Sequence, residues 1–406
     1  MRVDQEGKEQ KRVMNLIVLV DRSGFPNGNA SANRLALLGQ ALVEQGVFVK
    51  IVITKWSDYQ DNIINIKTGG NYKGIDFEYT YGNTVRDSSF IVRRLRAFRG
   101  WLLAAWRILT APERTVLYLY SDSPGLCIPA TIIAKLRKIP VVIELCEWRP
   151  SVPSCRKSVK WYYKNLRFTL ANGVFVISSL LEQRVKSIVK DSSKPKILTI
   201  PILTDINETC NSLNRNSNGR KYVLWCGQLD GYINSILWLI QVFSCISQND
   251  DCYFYIVGRY RPELQDTISS FIKNLGINEE RIVLTGYVTR QHLLELYRNA
   301  QALLAPLEDD ERSNARFPTK IGEYLASGKP VITNSVSDIN HFLKDGETAF
   351  ISPPGDVDAF ARNIKLVLSD NELSVKVGKA GKQIAQKHFY YSKHGKRIAE
   401  FLNELF

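Results

Sequence analysis

Short continuous apolar runs alternate with longer segments of helical period along nearly the whole chain. That is the pattern of buried parallel strands joined by crossover helices. Asn15–Val20 is the first such run. The loop Asp21–Asn33 leads from it into a helix that Gly46 ends near Gln45, and Val47–Thr54 completes a βαβ unit. Further strands are predicted at Val116–Tyr120, Pro140–Leu145, Gly173–Ser178 and Ile197–Pro201, with helices over Pro124–Lys138 and Leu180–Lys190. The residues between Thr54 and Ile91, around Gly69-Gly70 and Tyr79–Gly82, carry no readable element.

A polar run, Asn207–Arg220, breaks the rhythm, after which the same grammar returns. Strands are predicted at Tyr222–Cys226, Cys252–Val257, Arg281–Leu284, Ala302–Ala305, Val331 and Phe350. The intervening helices run to Ser247, over Glu263–Leu275 and to Arg298, and Asp356–Leu368 and Glu372–His388 close the block. Two α/β blocks therefore predict two doubly wound Rossmann-like domains, 13–203 and 221–390, with a linker over 204–220. Residues 1–12 are a polar lead-in expected to be disordered, and 391–406 follow the second block.

At 406 residues and 45% hydrophobic content the chain can bury two cores. A formal net charge of +14 points to an anionic partner. Nucleic acid is disfavoured, because neither paired Cys/His spacing nor an RNP-like aromatic strand is present. The seven cysteines contain no C-x-x-C, which suits reduced thiols in a cytoplasmic compartment. The charged N-terminus is not read as a signal peptide, and no apolar run approaches about 18 residues.

Ile91–Leu109 places Ile91, Leu95, Phe98, Leu102, Trp106 and Leu109 on one helical stripe, with Arg93, Arg94, Arg96 and Arg107 elsewhere. Such a helix either packs its stripe into the core or lies on an anionic leaflet, with Trp101 near its edge. Arg156–Arg167 is a second basic-aromatic stretch that favours the membrane-facing reading.

The chemistry concentrates in Arg316–Thr333. Pro318 suits the first helical position, Ile321, Tyr324 and Leu325 recur at helical spacing, and Gly328 suits the C-terminal cap. No Ser, Asp or Asn stands where a capping side chain belongs, so the first-turn N–H groups can serve an outside anion. Arg316 and Lys320 bracket that end, and Glu323 sits one turn in, able to accept two hydroxyl hydrogen bonds. Phosphate donors beside a diol acceptor describe a nucleotide diphosphate with its ribose. A surface helix with an ordinary Lys–Glu pair accounts for the same residues without a ligand.

PTKIGEYLASGKPVI resembles the donor-site helix of the retaining family 4 glycosyltransferases, and flanking similarities extend over nearly the whole chain. The resemblance implies a GT-B fold, two domains facing across a cleft, with 391–406 crossing back to the first. It implies that the helix start at Pro318 and Thr319 holds the diphosphate of a nucleotide-sugar and that Glu323 binds the ribose. Gly28 matches the family's first glycine-rich loop, with Asn29 where a second glycine is common. Gly227 matches the glycine after which relatives carry an Arg and then a Lys; here Gln228 and Ile233-Asn234 stand instead. Arg259, Arg316 and Lys320 are the replacement cations that would stabilise the departing nucleotide. Val288 matches a contact to the base.

The family's E-x7-E pair is incomplete, because Ala315 stands eight positions before Glu323; the run Glu308–Glu311 is the alternative source of a carboxylate. At the end of the Pro140 strand, Glu147, in preference to Glu144, would orient or deprotonate an acceptor hydroxyl. Asp356-Val-Asp358 reads as a helix cap rather than a metal site, and the four histidines lack ligand spacing, so no metal or other cofactor is expected. The resemblance thus implies sugar transfer to a glycan or lipid-linked acceptor; the cysteine usage points to a cytoplasmic protein, and the basic-aromatic N-terminal half to peripheral contact with an anionic inner-membrane face. The departures leave two alternatives: a nucleotide-binding partner subunit without turnover, and a sugar-nucleotide epimerase of the same fold.

Overall fold

The computed structural model describes residues 13–28, 30–61, 63–189, 195–210, 219–246 and 251–406. The polar lead-in, Asn29 and positions 211–218 of the expected linker lie outside the described residues. The chain forms two compact units. One comprises the sequence up to Leu203 together with Tyr391–Phe406, and the other is Thr204–Tyr390.

The first unit is built on eight strands: β1 (Asn15–Val20), β2 (Phe48–Ile53), β3 (Gly69–Tyr72), β4 (Ile75–Tyr79), β5 (Thr115–Tyr120), β6 (Val141–Leu145), β7 (Gly173–Val176) and β8 (Lys196–Thr199). Their order is β3-β4-β2-β1-β5-β6-β7-β8. Only β3 runs antiparallel, on β4. β1 and β6 are apolar almost throughout because both faces of the sheet are covered, which is what their continuous hydrophobic runs anticipated. The chain order reverses direction between β1 and β5, which places the crevice of a doubly wound sheet at their carboxyl ends.

The segment without a readable element contains the β3–β4 hairpin. Its two-residue turn, Lys73-Gly74, has φ values of 50° and 84°, the left-handed pair that matches strand twist. Lys-Gly is a weak signal for such a turn. Asn71, whose side chain accepts from the Gly74 N–H at 3.0 Å, supplies the missing local support.

The helix Phe90–Leu109 turns the other way from a core helix. Gly100, Ala104 and Ile108 are its buried residues, and Ile91, Leu95, Phe98, Leu102, Trp106 and Leu109 are 41–68% exposed. The core reading of the stripe is therefore wrong. The cause is the approach distance: a Cβ on Gly100 would lie 2.6 Å from the Thr54 carbonyl oxygen, so only the small-residue side fits against the unit. The second basic-aromatic stretch also departs from expectation. Tyr162, Tyr163 and Arg167 point inward, Arg167 pairing with Asp122 at 3.0 Å and donating to the Glu144 carbonyl at 2.7 Å. Among the described residues, no helix is long and apolar enough to cross a membrane.

The second unit carries β9 (Tyr222–Cys226), β10 (Tyr253–Val257), β11 (Ile282–Gly286), β12 (Ala302–Ala305), β13 (Val331–Asn334) and β14 (Phe350–Ser352), in the order β11-β10-β9-β12-β13-β14. All are parallel, and the reversal falls between β9 and β12. Residues 204–210, expected to be linker, belong to this unit. The Thr204 N–H donates to the Phe389 carbonyl at 2.8 Å, and Ile206–Cys210 is helical.

The last helix, Ser392–Asn403, lies on the first unit. Phe401 meets Phe175 at 5.5 Å between ring centroids. Gly395 touches the first unit's opening helix, where an added Cβ would sit 2.3 Å from the Ala41 carbonyl oxygen. Gly395→Val therefore forces the two helices apart and destabilises the first unit by about 1–3 kcal/mol. The denaturant midpoint of that unit's transition measures it.

Candidate functional site

Three glycines line the carboxyl ends of neighbouring strands in the second unit. The Gly227 N–H donates to the Val257 carbonyl at 2.9 Å, and the Gly258 N–H to the Gly286 carbonyl at 3.0 Å. Gly258 has φ +146°, and a Cβ there would stand 1.7 Å from the Gly227 carbonyl oxygen, so no other residue fits. This contact holds the segments after β9 and β10 together: the Leu229 N–H donates to the Arg259 carbonyl at 3.1 Å. Gln228 precedes the single turn Leu229–Gly231, its carbonyl accepting from the Gly231 N–H at 3.3 Å, and its side chain makes no cap. Arg259 lays its guanidinium over the Tyr287 ring at 4.3 Å, beside half-buried Val288.

The central helix spans Thr319–Ser327. Pro318 is its N-terminal cap residue, one position earlier than expected, with Thr319 opening the helix; extended ψ at Pro318 excludes it from the first turn. No side chain caps this start, and Gly328 closes the other end at φ 78°. Buried Phe317 anchors the entry against Phe342 and Phe389, at 5.5 and 5.6 Å. The Tyr324 hydroxyl accepts from the Cys226 N–H at 2.9 Å, fixing the helix to the end of β9. Lys320 reaches the same strand end, its Nζ 3.3 Å from Cys226 Sγ.

Arg316 Nη1 donates to the Tyr232 hydroxyl at 3.4 Å. Tyr232 is the cap residue of the helix Ile233–Ser244, which also has no side-chain cap. A guanidinium is thus tied to the residue that caps the helix carrying Asn234, where the family's lysine is missing. Of the acidic run, Glu308 accepts from Ser235 Oγ in the same helix start at 3.0 Å. Asp309 and Asp310 are spent locally, on Asn314 and as the cap of Glu311–Ala315, and Ala315 is buried. The Asp356 side chain accepts from the Ala359 N–H at 2.8 Å, which makes it a helix cap.

Glu323 is buried, and sequence reading missed its principal partner. Arg290 Nη1 donates to Glu323 Oε1 at 3.1 Å, and the same guanidinium pairs with Glu208 at 3.0 Å. Burial alone would raise the Glu323 pKa. The charges of Arg290 and then Lys320, with the hydrogen bond from Arg290, outweigh it and hold the carboxyl below the usual range. Burial would likewise strip Lys320 of its proton, but Cys226 and Glu323 keep it raised. Arg290 opens the helix Arg290–Asn299 after the capping Thr289, a place that carries no sequence signal of this pairing.

In the first unit, Gly28 sits where a Cβ would meet the Gly24 carbonyl oxygen at 2.4 Å. Asn65, unread in the sequence, clamps that loop: its Oδ1 accepts from the Asn27 N–H at 3.1 Å and its Nδ2 donates to the Asn27 carbonyl at 2.7 Å. Glu144 is buried at the end of β6, paired with Arg34 at 3.0 Å and accepting from the Tyr118 hydroxyl. Glu147 lies beyond the strand, half-buried, and accepts from Arg149 Nη1 at 3.0 Å.

Two parallel-sheet units of this topology define a protein of GT-B fold. Residues 220–370 match the family described as glycosyl transferases group 1. Over the whole chain the fold is similar to sucrose-phosphate synthase from Thermosynechococcus elongatus, with TM-score 0.72, 16% identity, and 97% of this chain and 99% of that one covered. It is also similar to HepE of Anabaena solved with UDP-glucose, with TM-score 0.69, 16% identity, and 96% and 100% covered. The alpha-D-kanosaminyltransferase of Streptomyces kanamyceticus is 20% identical over 188 residues, 46% of each chain. The matched stretches span under half the length of the curated relatives.

The Glu323 charge balance yields a pH signature. A carboxyl held below its unfolded value of about 4.3 contributes stability that is present above that value and is lost as pH falls through the lower folded value. Arg290→Met removes the main compensating charge. It costs about 1–3 kcal/mol near neutrality, reduced from a fully buried pair because the Arg290 side chain is 40% exposed. The deficit against the parent protein narrows as pH falls through the lowered folded value, where the parent too takes up the Glu323 proton. Thermal melts across that range measure it.

Proposed function

We propose that this chain is a retaining, metal-independent glycosyltransferase that moves a sugar from a nucleotide-diphosphate sugar to a hydroxyl of a glycan or lipid-linked acceptor. The observation that carries the reading is the uncapped start of the Thr319 helix, with Lys320 and Arg316 at it and ionised Glu323 one turn inside. The N–H groups of Thr319 and Lys320, which follow Pro318, and these two cations stabilise the diphosphate as the bond to the sugar breaks, when negative charge on the leaving group grows. Arg316, bonded to the Tyr232 hydroxyl, supplies charge that Gln228 and Asn234 do not, with Arg259 as a third cation.

Glu323 takes the ribose hydroxyls, Val288 flanks the base, and the backbone at Gly227 and Gln228 borders the sugar phosphate. In the first unit Gly28 belongs to the loop that admits substrate, and Glu147 orients the acceptor hydroxyl. HepE, a relative in fold, has been solved with UDP and with UDP-glucose, which makes UDP the first nucleotide to test. The acceptor belongs to cell-surface polysaccharide or glycoconjugate synthesis, handled at the cytoplasmic face of an anionic membrane.

Gln228, Asn234 and Ala315 favour one second reading, a partner subunit that binds nucleotide without turnover. A thermal-shift panel of nucleoside diphosphates and their sugars addresses both. A ligand at about a hundredfold its Kd stabilises by roughly 2.7 kcal/mol, and Glu323→Ala abolishes that shift. An undiminished shift in Glu323→Ala overturns the ribose assignment. Turnover that falls about 10²–10³-fold in Arg316→Ala or Lys320→Ala supports catalysis through these cations. A nucleotide shift with no turnover of any donor, even with membrane extract supplying acceptors, selects the partner subunit.

A further inference from the structure

The helix Phe90–Leu109 presents its large apolar side chains to the outside over its whole length of 20 residues, about 30 Å. Ile91, Leu95, Phe98, Leu102, Trp106 and Leu109 form that stripe, and the opposite, small-residue side makes the contacts with the fold. The neighbouring helix Pro124–Leu136 packs alongside through Leu126, Ala130 and Ile133 and adds exposed Ile132 and Leu136. A monomer gains nothing from keeping such a stripe in water, and patches of this extent mark contact surfaces.

Charge identifies the occupant. Neither helix contains a single Asp or Glu. Arg93, Arg96 and Arg107 turn back to the protein, onto the Asp87 carbonyl, the Asp87 carboxylate and Glu78 respectively. Arg94 and Arg99 are exposed, one on each flank of the stripe, with the Arg99 guanidinium resting beside Gly82, and Lys135 and Lys138 are exposed on and just after the neighbouring helix. A second copy of the chain would bring the same cations face to face. An anionic bilayer accepts the apolar stripe between its headgroups and answers the flanking cations with phosphates.

We infer that this face docks the first unit onto an anionic lipid surface, with the helix lying in the plane of the membrane. The inference deepens the proposed function by naming the surface that meets the acceptor's membrane, and it rests on that reading only for its purpose.

Sedimentation with vesicles tests it. The parent protein is expected to pellet with equimolar phosphatidylcholine and phosphatidylglycerol but not with phosphatidylcholine alone, and to be released by salt. The triple variant Leu95→Gln, Phe98→Gln, Leu102→Gln is expected to lower partitioning at least about tenfold. The double variant Arg94→Glu, Arg99→Glu is expected to do the same, at about fivefold or more per arginine. All five side chains are exposed or flank the stripe, so melting temperatures and any UDP-glucose thermal shift stay at the parent's values. That shift reports on the donor reading independently of the vesicles. Absence of vesicle binding, equal binding to neutral vesicles, or variants that bind like the parent overturns the inference. A parent dimer that the triple variant dissociates, without vesicle binding, assigns the face to a second copy instead.

Discussion

A carboxylate inside the second unit has to be neutralised where it sits, and much of that unit's organisation follows from the requirement. Glu323 cannot leave the buried face of its helix, because Ile321, Tyr324 and Leu325 fix that face against the sheet. Its charge is therefore met by groups brought from elsewhere: Arg290 from the helix after β11, and Lys320 one turn earlier on the same helix. Arg290 in turn engages Glu208 on the short helix that opens the unit. One desolvated charge thus ties together three helices far apart in sequence. It also keeps an ionised acceptor one turn from a helix start whose amides no side chain claims. The same balance explains Lys320, half-buried, whose pKa is raised against the lowering effect of burial by its contact with Cys226 Sγ and by the Glu323 carboxylate.

The fold was largely legible because its strands are buried on both faces. Runs such as Asn15–Val20 and Tyr222–Cys226 need no partner information to be recognised, and the glycines that follow them mark the strand ends. The candidate site was legible where backbone geometry decides it, as at Pro318, Gly328 and Gly258, and illegible where it depends on pairing. Nothing local in Thr289-Arg290-Gln291 announces that the guanidinium meets Glu323, and nothing near Asn65 announces that its amide holds the loop of Gly28. Those contacts join separate helices or loops, between residues dozens of positions apart. The hairpin at Lys73-Gly74 was missed for a different reason: its turn has the required dihedrals without the usual residues.

The helix Phe90–Leu109 shows how periodicity can identify a face and still misassign its direction. An apolar stripe says that one side of a helix avoids water, but the side that packs on a sheet is set by how closely the backbones approach. Here the approach at Gly100 leaves no room for Leu or Trp, so small residues take the inner side. The outer stripe is then surplus to folding, and its solvent exposure is an unfavourable term that contact with an apolar phase removes.

The basic surplus of the chain has the same divided character. Arg34, Arg167 and Arg290 are consumed internally, each against a carboxylate that burial or a strand end has placed there. They contribute to the net charge of +14 without offering anything to a partner. What remains outward in the first unit includes the cations that flank one apolar stripe, on helices with no acidic residue. A uniformly basic surface would attract polyanions of any kind. Cations set on either side of an apolar strip favour a partner that is itself layered, apolar inside and anionic at its edge. That geometry distinguishes a lipid leaflet from a nucleic acid, whose charges lie on the outside of its grooves and which has no apolar layer to receive Phe98 and Leu102.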